Sequence, residues 1–173
     1  MSRVLVAYAS KHGATAEIAE AVAHELRNAG HTVDCVSAAE VEELAGYGAA
    51  VVGSAVYMAR WRPEARRLIK RRARELSERP LWLFSSGPCG QGEPSYAAPP
   101  GIERRAKRLG ARGHVVFGGR LPEEPSNLIE RSMLGKTPPE YRDLRNWRAI
   151  RAWAAGIAGE LAQAPERAVV GRR

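Results

Sequence analysis

The stretch "AYASKHGATAEIAEAVA", residues 7–23, contains the strand, turn and helix start that decide the fold. It continues the apolar run "RVLVAYA" (3–9), which is typical of a strand covered on both faces of a parallel sheet. After Thr15 the period becomes helical. One face of this helix carries the apolar residues Ile18, Ala19, Val22, Ala23 and Leu26. A buried strand that leads through a short turn into an amphipathic helix is the opening of an alternating α/β chain.

The same alternation continues along the chain. Further strands are predicted at 31–37, 48–56, 81–86 and 113–121, with a short helix or turn after the second strand. Helices are predicted from Pro63 through about Ser77 and near 101–109. Five strands in about 120 residues fit a doubly wound, five-stranded parallel sheet of flavodoxin-like order 2-1-3-4-5. The predicted fold class is therefore α/β, with three α/β/α layers, rather than a six-stranded dinucleotide fold.

The domain organisation follows from the rest of the pattern. Residues 1–163 are predicted to form one domain, in which 122–142, with four prolines and no clear period, are a long insertion loop. The closing helix carries an apolar stripe that we expect to pack in the core: Trp147, Ile150, Trp153, Ile157 and Leu161. Residues 164–173 are predicted to be a flexible tail.

Composition narrows the function classes. The sequence has 173 residues, of which 45% are hydrophobic, so a folded globular protein is expected. The sequence shows neither a secretory signal nor a spanning apolar run, so we expect a cytoplasmic protein, with contact at the inner membrane face left open. The cysteines, Cys35 and Cys89, form no CxxC and the four histidines are scattered, so no metal site is predicted. Cys35 is expected to be a free buried thiol.

The net charge of +8 has two explanations. It favours an anionic partner, such as nucleic acid, acidic lipid or a polyanionic small molecule, or it reflects an arginine-rich solvated surface. In "RRLIKRRARE" (66–75) the apolar positions have helical spacing, which turns the arginines towards water. Nucleic acid is not the expected partner.

Three unusual loops are predicted to meet at one edge of the sheet. In parallel sheets ligands bind beyond the carboxyl ends of the strands, where the strand order reverses. For the order 2-1-3-4-5 the loops at that point are 10–15, 54–61 and 85–101. Their convergence is the main sequence argument for a ligand site.

The first loop, "SKHGAT" (10–15), has the composition of a phosphate cradle. A helix N-terminus offers unpaired N–H groups and a positive dipole end, Ser10 and Thr15 offer hydroxyls, and Gly13 permits close approach. Lys11 is its only full positive charge. Neither GxxxxGK[ST] nor GxGxxG is present. The alternative is simple N-capping of the helix by Ser or Thr.

These residues resemble a known family. Ser10, Gly13 and Thr15 match the flavodoxin phosphate loop [ST]-x-[ST]-G-x-T, with His12 in place of the middle hydroxyl. "GSAVYMARW" and "LWLFSSGP" are similar to the flavodoxin-like branch that includes menaquinone-dependent protoporphyrinogen IX dehydrogenase. The resemblance covers about residues 3–162, and it is more specific for an FMN domain than for the porphyrinogen reaction.

The resemblance implies FMN and its binding residues. The 5′-phosphate would be held by Ser10, Lys11, His12, Gly13, Ala14 and Thr15. The isoalloxazine ring would be flanked by Ser54, Ala55, Val56, Tyr57, Met58 and Trp61, and by Ser85, Ser86, Gly87, Pro88, Cys89 and Gly90. Tyr57 and Trp61 are the candidates for ring stacking. A deazaflavin could use the same phosphate loop.

The chemistry expected from this site is that of the flavin, so no catalytic acid, base or nucleophile is assigned. The resemblance favours an FMN-dependent oxidoreductase that passes electrons from a small-molecule donor, with protoporphyrinogen IX as one candidate, to a quinone or another acceptor. Arg60, Arg62, Arg66 and Arg67 could attract propionates or acidic lipid.

Two alternatives remain: a flavodoxin-type electron carrier that serves a redox partner, and an FMN-free basic binding domain. Electron-carrier flavodoxins are acidic and this chain is basic, which favours the enzyme. The insertion is expected to expose few apolar residues, which argues against contact with a quinone or a membrane. A homodimer is also compatible with the sequence.

Overall fold

The computed structural model describes residues 1–87, 97–99 and 101–163. The strands are β1 (Arg3–Ala9), β2 (Thr32–Ser37), β3 (Ala49–Tyr57), β4 (Arg60–Trp61), β5 (Leu81–Ser86) and β6 (Gly113–Phe117). The α-helices are α1 (Ala14–Asn28), α2 (Pro63–Arg71), α3 (Ala73–Ser77), α4 (Ile102–Leu109), α5 (Leu128–Lys136) and α6 (Trp147–Gln163). A 3₁₀ turn spans Pro139–Tyr141.

Five of the strands form one parallel sheet in the order β2-β1-β3-β5-β6. This is the predicted flavodoxin-like order, so the fold prediction is confirmed. The remaining strand, β4, has two residues and pairs antiparallel with the end of β3, where Val56 lies opposite Trp61. The sequence pattern did not predict β4, because two residues show no period. The strand order reverses between β1 and β3. The carboxyl ends of these strands, here called their outlets, therefore lie at the same edge of the sheet.

The sheet separates two apolar layers, because successive strand residues point to opposite faces. Val4 and Val6 of β1 pack on the side of α1 and α6. Leu5 and Ala7 pack on the other side, with α2, α3 and α4. The apolar stripe of the last helix lies in the first layer, as predicted: Ile150, Ile157 and Leu161 are buried, and Trp147 and Trp153 are partly buried against them.

The predicted helix over 63–77 is interrupted at Arg72, which separates α2 from α3. The guanidinium of Arg72 donates to the backbone carbonyl of Glu42 and to the carboxylate of Glu75, at 2.9 Å for the latter. These contacts accompany a local departure from helical backbone, with φ −110° and ψ 23°. Residues 38–44, left open as helix or turn, contain a turn at 38–40 and no helix.

The insertion contains a helix that the sequence analysis did not predict. Helix α5 lacks an apolar face directed inwards, and its one buried residue is Glu130. Leu128, Ile129 and Met133 are instead exposed, Leu128 by 79%. The expectation that this insertion exposes few apolar residues is therefore wrong. The helix was missed because the apolar residues of Leu128–Lys136 are not gathered in a clear stripe at helical spacing, so the segment lacks the usual amphipathic signature.

Candidate functional site

The loop between β1 and α1 leaves the start of the helix open. Gly13 is the N-cap residue, with φ of 86°, and α1 has no side-chain cap. Ser10 Oγ accepts from the Gly13 N–H at 3.0 Å, so Ser10 orders the loop rather than capping the helix. A Cβ built on Gly13 would meet nothing within 4 Å. The simple N-capping alternative is not what the structure shows, and the first turn of α1 keeps the free N–H groups that attract anions.

Thr15 lies in that first turn with its side chain directed inwards. The residue is 1% exposed. A polar side chain placed beside uncapped helical N–H groups fits an oxyanion such as phosphate, since each group can donate to it. The donor set of this loop therefore fits the phosphate of FMN, and Thr15 and the start of α1 are the groups that would hold it.

The two basic side chains of the loop are engaged elsewhere, by Glu130 of α5. Lys11 Nζ donates to Glu130 Oε1, and His12 Nε2 lies 3.0 Å from the same oxygen. The other oxygen, Oε2, accepts from the N–H and the hydroxyl of Ser126, at 2.7 and 2.8 Å. Burial alone would raise the pKa of Glu130, but these donors outweigh it and hold that pKa well below its usual range. Glu130 is therefore an anion at neutral pH.

Tyr57 connects the end of β3 to both the phosphate loop and the insertion. Lys11 Nζ lies 4.7 Å from the centroid of the Tyr57 ring, a cation–π distance. Asn127 Nδ2 donates to Tyr57 Oη at 3.3 Å. Tyr57 and Met58 are exposed, Met58 by 72%, while Ala55 and Val56 are half-buried. Tyr57 thus presents an aromatic ring at the same edge of the sheet as the open helix.

The prediction that Trp61 stacks on a flavin is corrected by its burial. Trp61 is 2% exposed and packs among the side chains of the apolar layer under α2 and α4, so its ring is part of the core. Its Nε1–H donates to Ser85 Oγ at 2.7 Å, and that oxygen lies 2.9 Å from His114 Nε2. Burial lowers the pKa of His114, which favours a neutral ring in this chain of hydrogen bonds. Trp61 positions the β5 outlet instead.

The serines at the ends of β3 and β5 make hydrogen bonds within the protein or are buried. Ser54 Oγ accepts from the Arg62 N–H at 2.9 Å and donates to the Ala55 carbonyl at 2.8 Å. Ser85 and Ser86 are buried. Gly87, with φ of 136°, donates its N–H to the Phe117 carbonyl, and a Cβ there would lie 3.5 Å from Val56 Cβ. The β3 and β5 outlets are therefore neighbours. Pro88, Cys89 and Gly90 lie outside the described residues.

The turn between β3 and β4 is strained. Met58 and Ala59 have φ of 52° and 58°, a left-handed conformation that L-residues adopt at a cost of about 1–2 kcal/mol each. We expect Ala59→Gly to raise the free energy of unfolding by about 1 kcal/mol, because glycine adopts this φ without strain. Urea unfolding measures the change. Ala39→Gly, in an exposed turn without positive φ, is the matched control and should be neutral or slightly destabilising. Equal losses in both variants would contradict the strain.

Three residues of the insertion that were not among the predicted site residues make contacts in this region: Ser126, Asn127 and Glu130. The signal was present in "SNLIE" (126–130), an N-cap residue followed three positions later by Glu. In the structure Asn127 Oδ1 accepts from the Glu130 N–H at 2.9 Å, as a capped helix start requires. The motif predicts the helix but not the direction of the Glu130 carboxylate.

This geometry defines a doubly wound α/β protein in which a helix without a side-chain cap begins at the switch point of the sheet. The flavodoxin domain family matches residues 5–138, and the chain belongs to that family. FMN is the cofactor of the family, as the resemblance implied. No curated protein sequence matches the chain significantly.

Solved structures show the same fold. The chain is similar to flavodoxin 2 from Bacillus cereus, with 19% identity, a TM-score of 0.63 and coverage of 92% of this chain and 99% of that one. A flavodoxin from the domain Archaea gives 17% identity, a TM-score of 0.60 and coverage of 93% and 99%. Rubredoxin oxygen:oxidoreductase from Desulfovibrio gigas gives 16% identity and a TM-score of 0.65. In that case 94% of this chain spans 36% of the larger protein.

Proposed function

We propose that this chain binds FMN and works as an FMN-dependent oxidoreductase. The observation that carries the proposal is the open start of α1, with buried Thr15 and no side-chain cap, at the switch point of a flavodoxin fold. FMN supplies one- and two-electron transfer when bound. The chain would contribute the phosphate cradle, the Tyr57 ring and the neighbouring β3 and β5 outlets that exclude water from one side of the ring.

The binding experiment is a fluorescence titration. We expect FMN fluorescence to be quenched when the purified protein is titrated into it, because flavin stacked on an aromatic side chain loses its emission. The dissociation constant for FMN should lie below tens of micromolar, and riboflavin is the comparison ligand. Absence of quenching at tens of micromolar would overturn the proposal. Salt-dependent DNA binding without FMN binding would favour the basic binding domain.

The choice between an enzyme and a carrier depends on the electron donor. The exposed apolar residues of α5 lie next to Asn127, which contacts Tyr57, so an apolar acceptor such as a quinone has a surface beside the site. This observation favours the oxidoreductase. Stopped-flow reduction by small-molecule donors tests it, whereas reduction by a partner reductase alone would indicate a carrier.

Protoporphyrinogen IX remains a proposed substrate within this function. Arg60, which pairs with Tyr57 at the end of β3, and Arg67 of α2 are exposed, and Arg62 is paired with Glu64 at 3.1 Å. The two exposed guanidiniums could bind propionates. In the described ranges no helix has the length and hydropathy needed to cross a bilayer.

A further inference from the structure

The insertion places one buried anion against the phosphate loop. Glu130 is the one buried residue of α5, and its side chain is 5% exposed beside Lys11 and His12. Both of its carboxylate oxygens accept hydrogen bonds: Oε1 from Lys11 and His12 of the phosphate loop, and Oε2 from Ser126 of the insertion. Because an ionised carboxylate only accepts hydrogen bonds, His12 Nε2 must carry the proton in this contact. The carboxylate is therefore built into the site rather than resting on its surface.

The contact changes the charge that a phosphate would meet. Lys11 is the only lysine or arginine in residues 10–15, and Glu130 compensates it at contact distance. Lys11 Nζ is also drawn over the Tyr57 ring, at 4.7 Å from its centroid. The described cradle is thus formed by backbone N–H groups and the Thr15 hydroxyl, while its one full cation is neutralised. A phosphate monoester carries about −1.5 to −2 charges at pH 7, so this neutralisation affects its affinity directly.

We propose that Glu130 supplies the counter-charge of Lys11 in the phosphate loop and thereby sets how tightly this site binds a phosphate-bearing flavin. The insertion would tune cofactor affinity downwards by supplying the counter-charge of the loop. This inference rests on the proposed function and goes beyond it, since it assigns a role to a residue outside the three loops. It predicts that Glu130 and Lys11 act on the phosphate in opposite directions through charge.

A double-mutant cycle tests the inference, with the ratio of riboflavin to FMN dissociation constants as the readout. Glu130→Gln keeps an acceptor oxygen for Ser126 but removes the charge, so we expect the ratio to rise about tenfold at low ionic strength. Lys11→Met leaves the carboxylate uncompensated and should lower the ratio by about tenfold. The double variant restores the net charge and should return to within about threefold of the wild type. High salt should shrink all these differences.

Controls separate charge from folding. Glu124→Gln removes the same charge from an exposed residue of the insertion and should leave the ratio unchanged. A loosened insertion would weaken riboflavin and FMN alike, so it would not move the ratio. If Glu130→Gln fails to fold, Lys11→Met alone still tests the sign of the loop charge, and an unchanged or increased ratio overturns the inference.

The remaining outcomes are also decisive. An unchanged or lowered ratio in Glu130→Gln overturns the inference while FMN binding by the wild type stands. A double variant as weak as Lys11→Met means that the Glu130 charge does not act on the phosphate itself, which overturns the inference as well. Absence of FMN binding in the wild type overturns the proposed function and this inference together.

Discussion

Replacement of Gly53 by alanine should lower the free energy of unfolding by about 3 kcal/mol, at the upper end of the cost of overpacking a core. Gly53 lies in the middle of the sheet on β3, and its register partner on β5 is Phe84. A Cβ on Gly53 would lie 2.0 Å from Phe84 Cζ, far inside van der Waals contact. The ring or the strand must therefore move.

Phe84 has little freedom to move. Its ring packs against Trp153 and Phe117 with centroid separations of 6.0 and 6.1 Å, and those two rings lie 5.6 Å apart in an edge contact. Phe84 is fully buried in the layer under α1 and α6. Displacing it disturbs a cluster that joins β5, β6 and α6, so the loss extends beyond one pair.

Urea unfolding followed by circular dichroism measures this effect, and Gly113→Ala is its matched control. A Cβ on Gly113, in the neighbouring strand β6, would sit 3.7 Å from the Trp82 ring, an ordinary contact. We expect that control to change stability by less than about 1 kcal/mol. A loss of under 1 kcal/mol in Gly53→Ala would show that the Phe84 cluster adjusts easily.

The second large effect concerns the cofactor. Thr15→Val should weaken FMN binding by about thirtyfold and riboflavin binding by less than about threefold. The reason is that valine keeps the shape of threonine but removes a hydroxyl that would donate to phosphate, and hydrogen bonds to charged groups contribute about 1.5–3 kcal/mol. Fluorescence titration with both flavins gives the two dissociation constants.

The control for Thr15→Val is Thr32→Val. Thr32 is exposed at the start of β2, at the opposite edge of the sheet from the strand outlets. It should leave both affinities unchanged. Equal weakening of FMN and riboflavin by Thr15→Val would show that the hydroxyl supports the fold of the loop and not the phosphate.

Much of the fold was predictable because its signals are local. The continuous apolar run of β1, the helical period after Thr15 and the turn between them each follow from short-range patterns. Five strands that alternate with helices fit the order 2-1-3-4-5, and this order places the three outlets together. The position of the candidate phosphate loop follows from the same reasoning.

The rest of the site depends on contacts distant in the sequence. An aromatic residue after a strand has the same signature whether it packs in the core or covers a ligand, and the two-residue strand β4 turns Trp61 into the core. Glu130 contacts a loop 119 positions earlier in the chain, and no local pattern gives that pairing. For this reason neither helix α5 nor the contact of Glu130 with the phosphate loop was predicted from the sequence.

The outward apolar face of α5 has a thermodynamic consequence. Because this helix buries little besides Glu130, its local opening would expose little new apolar surface. Such an opening carries a small heat-capacity change and a small dependence on urea, since both scale with the surface exposed. Amide hydrogen exchange in α5 should therefore be insensitive to low urea concentrations.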